Sequence, residues 1–197
     1  MSLRRVARDA YREALPALSA SLVGGLIAGV VLGGMRGALA DIPGLLVLVP
    51  ALLATRGNVY SSLGARVATA LHQGMITPRL DTVDDRLVQA CAAALANGLL
   101  ASAFAALAVF VSLSVLPALA APAPLPGLVV LALVAGTLSG LTLTVVIVTA
   151  VLAGYRRGYD PDTLVGPLVT TTGDVFGLLF LLVAVRLTTA VGLLGGA

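Results

Sequence analysis

The stretch LVVLALVAGTLSGLTLTVVIVTAVLA (residues 128–153) contains no charged residue, and its length decides the fold. A helix that crosses the hydrocarbon core of a bilayer needs about 20 mostly apolar residues. Stretches of this kind recur along the chain, which predicts an all-α, polytopic membrane protein with about five transmembrane helices. The predicted spans cover residues 15–35, 43–71, 87–116, 128–153 and 163–194.

The composition supports a membrane location. Charged residues make up only 11% of the chain and the mean hydropathy is +1.07, whereas a soluble domain carries about 25% charged residues. The chain lacks the charge to cover a surface in water, so we expect a lipid bilayer to surround most of it. Residues 1–14 are predicted to form a basic, amphipathic cytoplasmic lead-in, and residues 15–197 a single transmembrane domain.

The arginines predict the orientation. All twelve basic residues are arginines, and most lie at the ends of apolar runs, which argues against nucleic-acid binding despite the net charge of +3. Cytoplasmic loops of membrane proteins carry an excess of positive charge. We therefore expect a cell-membrane protein with a cytoplasmic N-terminus and an extracellular C-terminus. The arginines on the predicted cytoplasmic side are Arg4, Arg5, Arg8, Arg12, Arg79, Arg86, Arg156 and Arg157.

One acidic residue interrupts an apolar span. Asp174 lies twelve residues beyond Asp162, about 18 Å of helical rise. A carboxylate at this depth must face a polar interior, because lipid excludes an unpaired charge. We interpret it as a ligand for a hard divalent cation, with Thr170 and Thr171 on or beside its helical face. The alternative is an ion pair with Arg56 that locks two helices together.

A second polar segment lies in the predicted second span. Arg56 is interpreted as a structural donor to carbonyl groups at a helix end. Gly57 permits close helix approach or a local opening that exposes carbonyl oxygens. Asn58 and Ser61 either supply oxygen ligands or bond between helices.

The start of the predicted fifth span has two interpretations. Asp160 and Asp162 flank a proline, as in a capped helix N-terminus, or they form a vestibule that attracts cations. Pro167 is predicted to loosen the first turns of this helix. Gly173 and Gly177 flank Asp174 and are predicted to be pore-lining or structural positions.

Two ordered segments carry a family resemblance. PALLATRGNVYSSLGARVATALHQG (residues 50–74) and DPDTLVGPLVTTTGDVFG (residues 160–177) together resemble the membrane domain of the MgtE family of magnesium transporters, and look closer still to its eukaryotic solute-carrier branch. Tyr60 and Ser62 depart from the Gly and Gln of the bacterial branch. The matching positions are Pro50, Gly57, Asn58, Arg66, Gly74, Asp160, Pro161, Pro167, Thr170, Thr171, Asp174 and Gly177.

The resemblance implies the assembly and the substrate. It implies a homodimer of ten helices, with a pore along the two-fold axis in which Asp174 of each copy holds a hydrated Mg²⁺. Mn²⁺, Co²⁺ and Ca²⁺ also suit an oxygen-only site. The cytoplasmic domains that regulate the bacterial branch are not in this sequence, so either a separate regulatory domain or chain is a partner, or the sequence is a membrane domain cut from a longer protein.

The main hypothesis is therefore a divalent cation transporter or channel, principally for Mg²⁺. We find no Ser–His–Asp set, P-loop or paired acid–base carboxylates in the sequence, so we expect no enzyme. Two alternatives stay open. One is a non-transporting membrane scaffold or subunit in which Asp174 and Arg56 form a structural ion pair. The other is a cation/proton or Na⁺/Mg²⁺ exchanger.

Overall fold

The structure is a computed structural model that describes residues 3–79, 84–116, 121–158 and 161–194. Within these ranges the chain is all-helical. This confirms the all-α part of the predicted fold class. The helices are α1 (Leu3–Gly34), α2 (Arg36–Asp41), α3 (Leu45–His72), α4 (Asp85–Val115), α5 (Leu125–Arg156) and α6 (Pro161–Ala190).

Four of the described helices, α3 to α6, are long and apolar enough to cross a membrane. They coincide with the second to fifth predicted spans within a few residues. The first predicted span falls in α1, whose apolar part, Leu18–Gly34, is shorter. At about 1.5 Å per residue it extends about 26 Å, near the lower limit for crossing a bilayer. A fifth crossing therefore stays a prediction, while a multi-pass membrane protein is established.

The helix boundaries follow local sequence signals. The Asp84 carboxylate accepts a hydrogen bond of 2.9 Å from the backbone N–H of Arg86, which caps the start of α4. Gly44 precedes α3 with a φ of 99°, and Gly74 follows α3 with a φ of 67°. Both angles lie in the left-handed region that glycine adopts without strain. The short α2 lies between the first and second predicted spans, where no helix was predicted.

Helix α5 is the centre of the bundle. It packs against α3, α4 and α6, and α3 also contacts both α4 and α6. Helix α1 packs mainly against α6, and its side chains Leu18, Leu22, Leu26 and Val30 are exposed. On the side away from α5, the helices therefore follow the order α1, α6, α3, α4. The grooves between these helices are the surfaces that matter for function.

The apolar core consists of two clusters with a polar level between them. One cluster reaches Leu52 on α3 and Leu178 on α6. The other begins at Tyr60 on α3 and Val169 on α6. The level between them, which we call the middle layer, comprises residues 53–59, 95–104, 136–142 and 170–177. It crosses α3, α4, α5 and α6 near their midpoints, so several polar residues of the predicted spans lie at one depth.

Candidate functional site

A cleft between α3 and α6 opens in the middle layer. Its volume is about 390 Å³, and its polar side chains are Asn58 and Ser61 from α3 and Thr170 and Asp174 from α6. Four of the residues that the sequence analysis singled out thus come together. The remaining lining residues are Leu53, Ala54, Gly57, Val169 and Gly173.

Helical spacing explains why these side chains meet. Thr170 and Asp174 are four residues apart and therefore lie one above the other on α6. Asn58 and Ser61 are three residues apart and face the same groove from α3. Gly57 and Gly173 carry no side chain, so they leave space in the cleft beside these polar groups. Asp174 and Ser61 are half-buried, while Asn58 and Thr170 are exposed.

The donor set is made of oxygen atoms. The Thr170 hydroxyl donates a 2.6 Å hydrogen bond to the carbonyl of Gly166, one turn earlier on α6. Its oxygen retains lone pairs that accept hydrogen bonds or bind a cation. Carboxylate, amide and hydroxyl oxygens suit Mg²⁺ and other hard divalent ions. Among the described residues, no three His, Cys, Asp or Glu side chains form a cluster that could hold a metal. The cleft thus offers one carboxylate and several neutral oxygens.

Thr171 lies outside this cleft. Its hydroxyl donates a 3.3 Å hydrogen bond to the Ser21 Oγ of α1. Its methyl group lies so close to Gly24 that a Cβ at that position would collide with it. Thr171 therefore packs α6 against α1 in the single chain, although the sequence interpretation grouped it with Thr170 as a ligand.

Arg56 is buried between α3 and α6, and no acidic side chain in the described ranges forms an ion pair with it. Only 3% of its surface is exposed, and its Nε and Nη2 atoms have no hydrogen-bond partner. Its Nη1 atom lies against Gly177, where a Cβ would be only 2.9 Å from it. In the described part of the chain, no ion pair joins this guanidinium to the Asp174 carboxylate. The ion pair of the scaffold hypothesis is therefore not formed, and no carbonyl accepts from Nε or Nη2 as the sequence interpretation of Arg56 expected.

The other predicted positions have less defined roles. Pro167 lies inside α6 and removes one backbone donor from its first turns. Asp162 belongs to the first turn of α6, but the structure does not describe its side chain. Asp160 lies outside the described residues, so the predicted vestibule stays a prediction.

A second groove, between α3 and α4, was missed by the sequence analysis. It has a volume of about 380 Å³, and Asn58, Ser62, Arg66 and Asn97 line it together with several alanines. Asn97 is an exposed amide inside a predicted apolar span. A polar residue deep in an apolar run needs a polar neighbour, which was the reason for singling out Asp174. The same reasoning would have singled out Asn97.

Comparison with known proteins identifies the family. Residues 49–184, more than half of the chain, match the model of a family described as MgtE, divalent cation transporter. The matched range includes both polar segments and the cleft between α3 and α6. No curated protein matches the sequence. The chain therefore belongs to the MgtE family of divalent cation transporters.

Proposed function

We propose that the chain carries Mg²⁺ across the cell membrane through the cleft between α3 and α6, as a homodimer in which Asp174 is the central ligand. The observation that carries this proposal is the meeting of Asp174, which lies in the middle layer, with Asn58, Ser61 and Thr170 in one cleft. A carboxylate is costly at this depth unless it has a polar or charged partner. A cation in the cleft supplies that partner.

The dimensions of the cleft suit a hydrated ion. Mg²⁺ releases its waters reluctantly and is commonly held by one or two carboxylates through a partly retained hydration shell. Six waters at roughly 30 Å³ each occupy on the order of 180 Å³, less than the cleft volume of about 390 Å³. Asn58, Ser61 and Thr170 then hydrogen-bond the waters of the ion. Selectivity would come from water-spaced oxygens and pore width.

A polar stripe on α3 supports a second copy of the chain as partner. Asn58, Ser62, Arg66 and Thr69 recur every three or four residues, and all four are exposed in the single chain. Polar side chains on a membrane-spanning helix are unfavourable in contact with lipid. A second copy facing this stripe shields it and brings a second Asp174 carboxylate toward the ion, which balances its double charge.

The membrane potential is sufficient to drive uptake. A divalent ion gains about 4.6 kcal/mol for each 100 mV that it crosses toward the negative side. With the N-terminus cytoplasmic, as the arginines predict, α6 begins near the cytoplasm and its second half lies toward the extracellular side.

Flux into liposomes tests this function. The purified protein is reconstituted in liposomes that contain a Mg²⁺-sensitive dye, and a Mg²⁺ gradient with a negative-inside potential is applied. We expect dye signal with the wild-type protein and none above empty liposomes with Asp174→Ala. Full flux in Asp174→Ala would reject the site assignment. Flux that requires a Na⁺ or pH gradient would make the protein an exchanger, and no flux from a folded dimer under any gradient would favour a scaffold.

A further inference from the structure

The buried guanidinium of Arg56 has no assigned role in the proposed transport. A buried charge whose Nε and Nη2 atoms find no partner in the described part of the chain is unfavourable. The Asp174 carboxylate belongs to the same contact between α3 and α6. Two opposite charges thus occupy one helix interface without forming a pair.

The guanidinium lies against a residue of α6 that is close to Asp174 in sequence. Nη1 lies against Gly177, which follows Asp174 by three residues and is about 4.5 Å further along the axis of α6. Arg56 also precedes Gly57, which lines the cleft beside Asp174. The arginine side chain has several rotatable bonds, so a change of rotamer moves its guanidinium along α6.

We propose that Arg56 is a tethered cation that competes with the divalent ion for Asp174. In the absence of an ion, the guanidinium pairs with the carboxylate. When a divalent ion binds, the guanidinium moves to the position against Gly177. This inference rests on the proposed function, because it assumes that Asp174 binds the transported ion.

The exchange of one cation for another has three consequences. The carboxylate is never left without a positive charge inside the membrane, and the returning guanidinium favours release of the ion, as efficient conduction requires. It also disfavours monovalent ions. Na⁺ would replace one positive charge by another with no net gain, whereas a divalent ion adds a charge to the site.

Equilibrium binding of Mg²⁺ to the purified protein in nanodiscs tests the competition. We expect Arg56→Gln to lower the Kd of Mg²⁺ about tenfold and Arg56→Lys, which keeps a tethered cation, to stay within threefold of the wild type. In Arg56→Gln, replacing choline chloride by NaCl is expected to raise the Kd several-fold, and in the wild type to change it less than twofold. An unchanged or higher Kd in Arg56→Gln overturns the proposal.

Gly177→Ala tests the movement itself. A Cβ at this position would lie 2.9 Å from Nη1 and 3.0 Å from the Leu53 Cδ2, so it obstructs the position of the displaced guanidinium. We expect Gly177→Ala to raise the Kd at least threefold in the wild type and to have no effect in the Arg56→Gln background. Gly25→Ala is the matched control, because nothing lies within 4 Å of a Cβ at that position.

The outcomes separate this inference from the proposed function. If Asp174→Ala abolishes Mg²⁺ binding but Gly177→Ala has the same effect with and without Arg56, the proposed site holds and the tethered cation is rejected. If Asp174→Ala binds Mg²⁺ as the wild type does, both the site and the tethered cation are rejected.

Discussion

The polar side chains of α5 and those of the cleft between α3 and α6 occupy the membrane in different ways. On α5, Thr137, Ser139, Thr142 and Thr144 each donate a hydrogen bond to a carbonyl one turn earlier on the same helix, over 2.6 to 3.0 Å. A hydroxyl satisfied by its own helix makes no demand on its surroundings. An ionised carboxylate has no hydrogen to donate to a carbonyl, so Asp174 requires a partner from elsewhere.

This difference separates the hydroxyl groups of α5, which have a structural role, from the charged and amide groups of the cleft, to which we assign a function. Hydroxyls on α5 permit dense packing at the centre of the bundle, where Ser139 is fully enclosed. The charged and amide groups of the cleft cannot be satisfied locally, and they line a space large enough for a hydrated ion. Substitutions in the cleft should therefore reduce binding or flux with little effect on folding. Substitutions of the α5 hydroxyls should change neither.

The largest effect is expected for Asp174→Asn, which keeps the shape of the side chain and removes its charge. The Kd of Mg²⁺ should rise at least about 100-fold, which corresponds to about 2.8 kcal/mol, because the only carboxylate among the cleft-lining residues is lost. Calorimetric titration in detergent measures this change. Asp174→Glu, which keeps the charge, should remain within about tenfold of the wild type, and equal binding by Asn and Glu variants would contradict a role for the charge.

The next effect is expected for Asn58→Ala. Loss of the amide oxygen and N–H removes hydrogen bonds to the waters of the ion, so Mg²⁺ flux should fall about tenfold, equivalent to about 1.4 kcal/mol. Liposome flux is the measurement. Ser62→Ala is the comparison variant and should lose less flux, because Ser62 lies one turn further along α3, outside the cleft but on the proposed dimer-facing stripe. A larger loss in Ser62→Ala than in Asn58→Ala would move the ion path to the groove between α3 and α4.

A smaller effect should distinguish two neighbouring threonines. Thr170→Val replaces a cleft hydroxyl by a methyl group and is expected to reduce flux about threefold, about 0.7 kcal/mol. Thr171→Val is expected to leave flux unchanged and instead to loosen the contact of α1 with α6 by removing the hydrogen bond to Ser21. Parallel flux and thermal-unfolding measurements test this pair, and the opposite pattern would show that Thr171 reaches the ion in the dimer.

The smallest effect is expected for Ser139→Ala. Its hydroxyl donates only to the carbonyls of Ala135 and Gly136 on its own helix. The substitution therefore removes only hydrogen bonds that lie within α5. The stability should change by less than about 0.5 kcal/mol, and the flux should be unchanged. A strong loss of flux would place a functional group on α5 and remove the distinction between the two regions.

The sequence predicts the positions of the helices better than it predicts which helices contact one another. Apolarity and length are local properties, so the second to fifth spans were located within a few residues. The prediction was least accurate for α1. Its polar beginning continues directly into its apolar part, so the sequence does not define where a membrane-spanning segment would start. Asp174 was singled out because it interrupts an apolar run, and Asn58 because it belongs to a polar segment within a predicted span; the structure brings them to one cleft.

The choice between Thr170 and Thr171 was beyond the sequence. The two residues lie four and three positions before Asp174 and both fall near its face. Contact of α1 with α6 decides which one faces the cleft, and that contact is a tertiary property that involves Gly24. The position of Arg56 was equally unpredictable, since its relation to Asp174 depends on how α3 and α6 pack.

The most direct test of the account is chemical block of the cleft during Mg²⁺ flux. In a Cys91→Ala background, Thr170→Cys and Thr137→Cys each introduce one exposed thiol, in the cleft and on α5 respectively. A membrane-impermeant cationic methanethiosulfonate reaches only water-filled space. Modification should abolish flux through Thr170→Cys, with protection by Mg²⁺, and leave Thr137→Cys unaffected. Undiminished flux after complete modification of Thr170→Cys would contradict passage of the ion between α3 and α6.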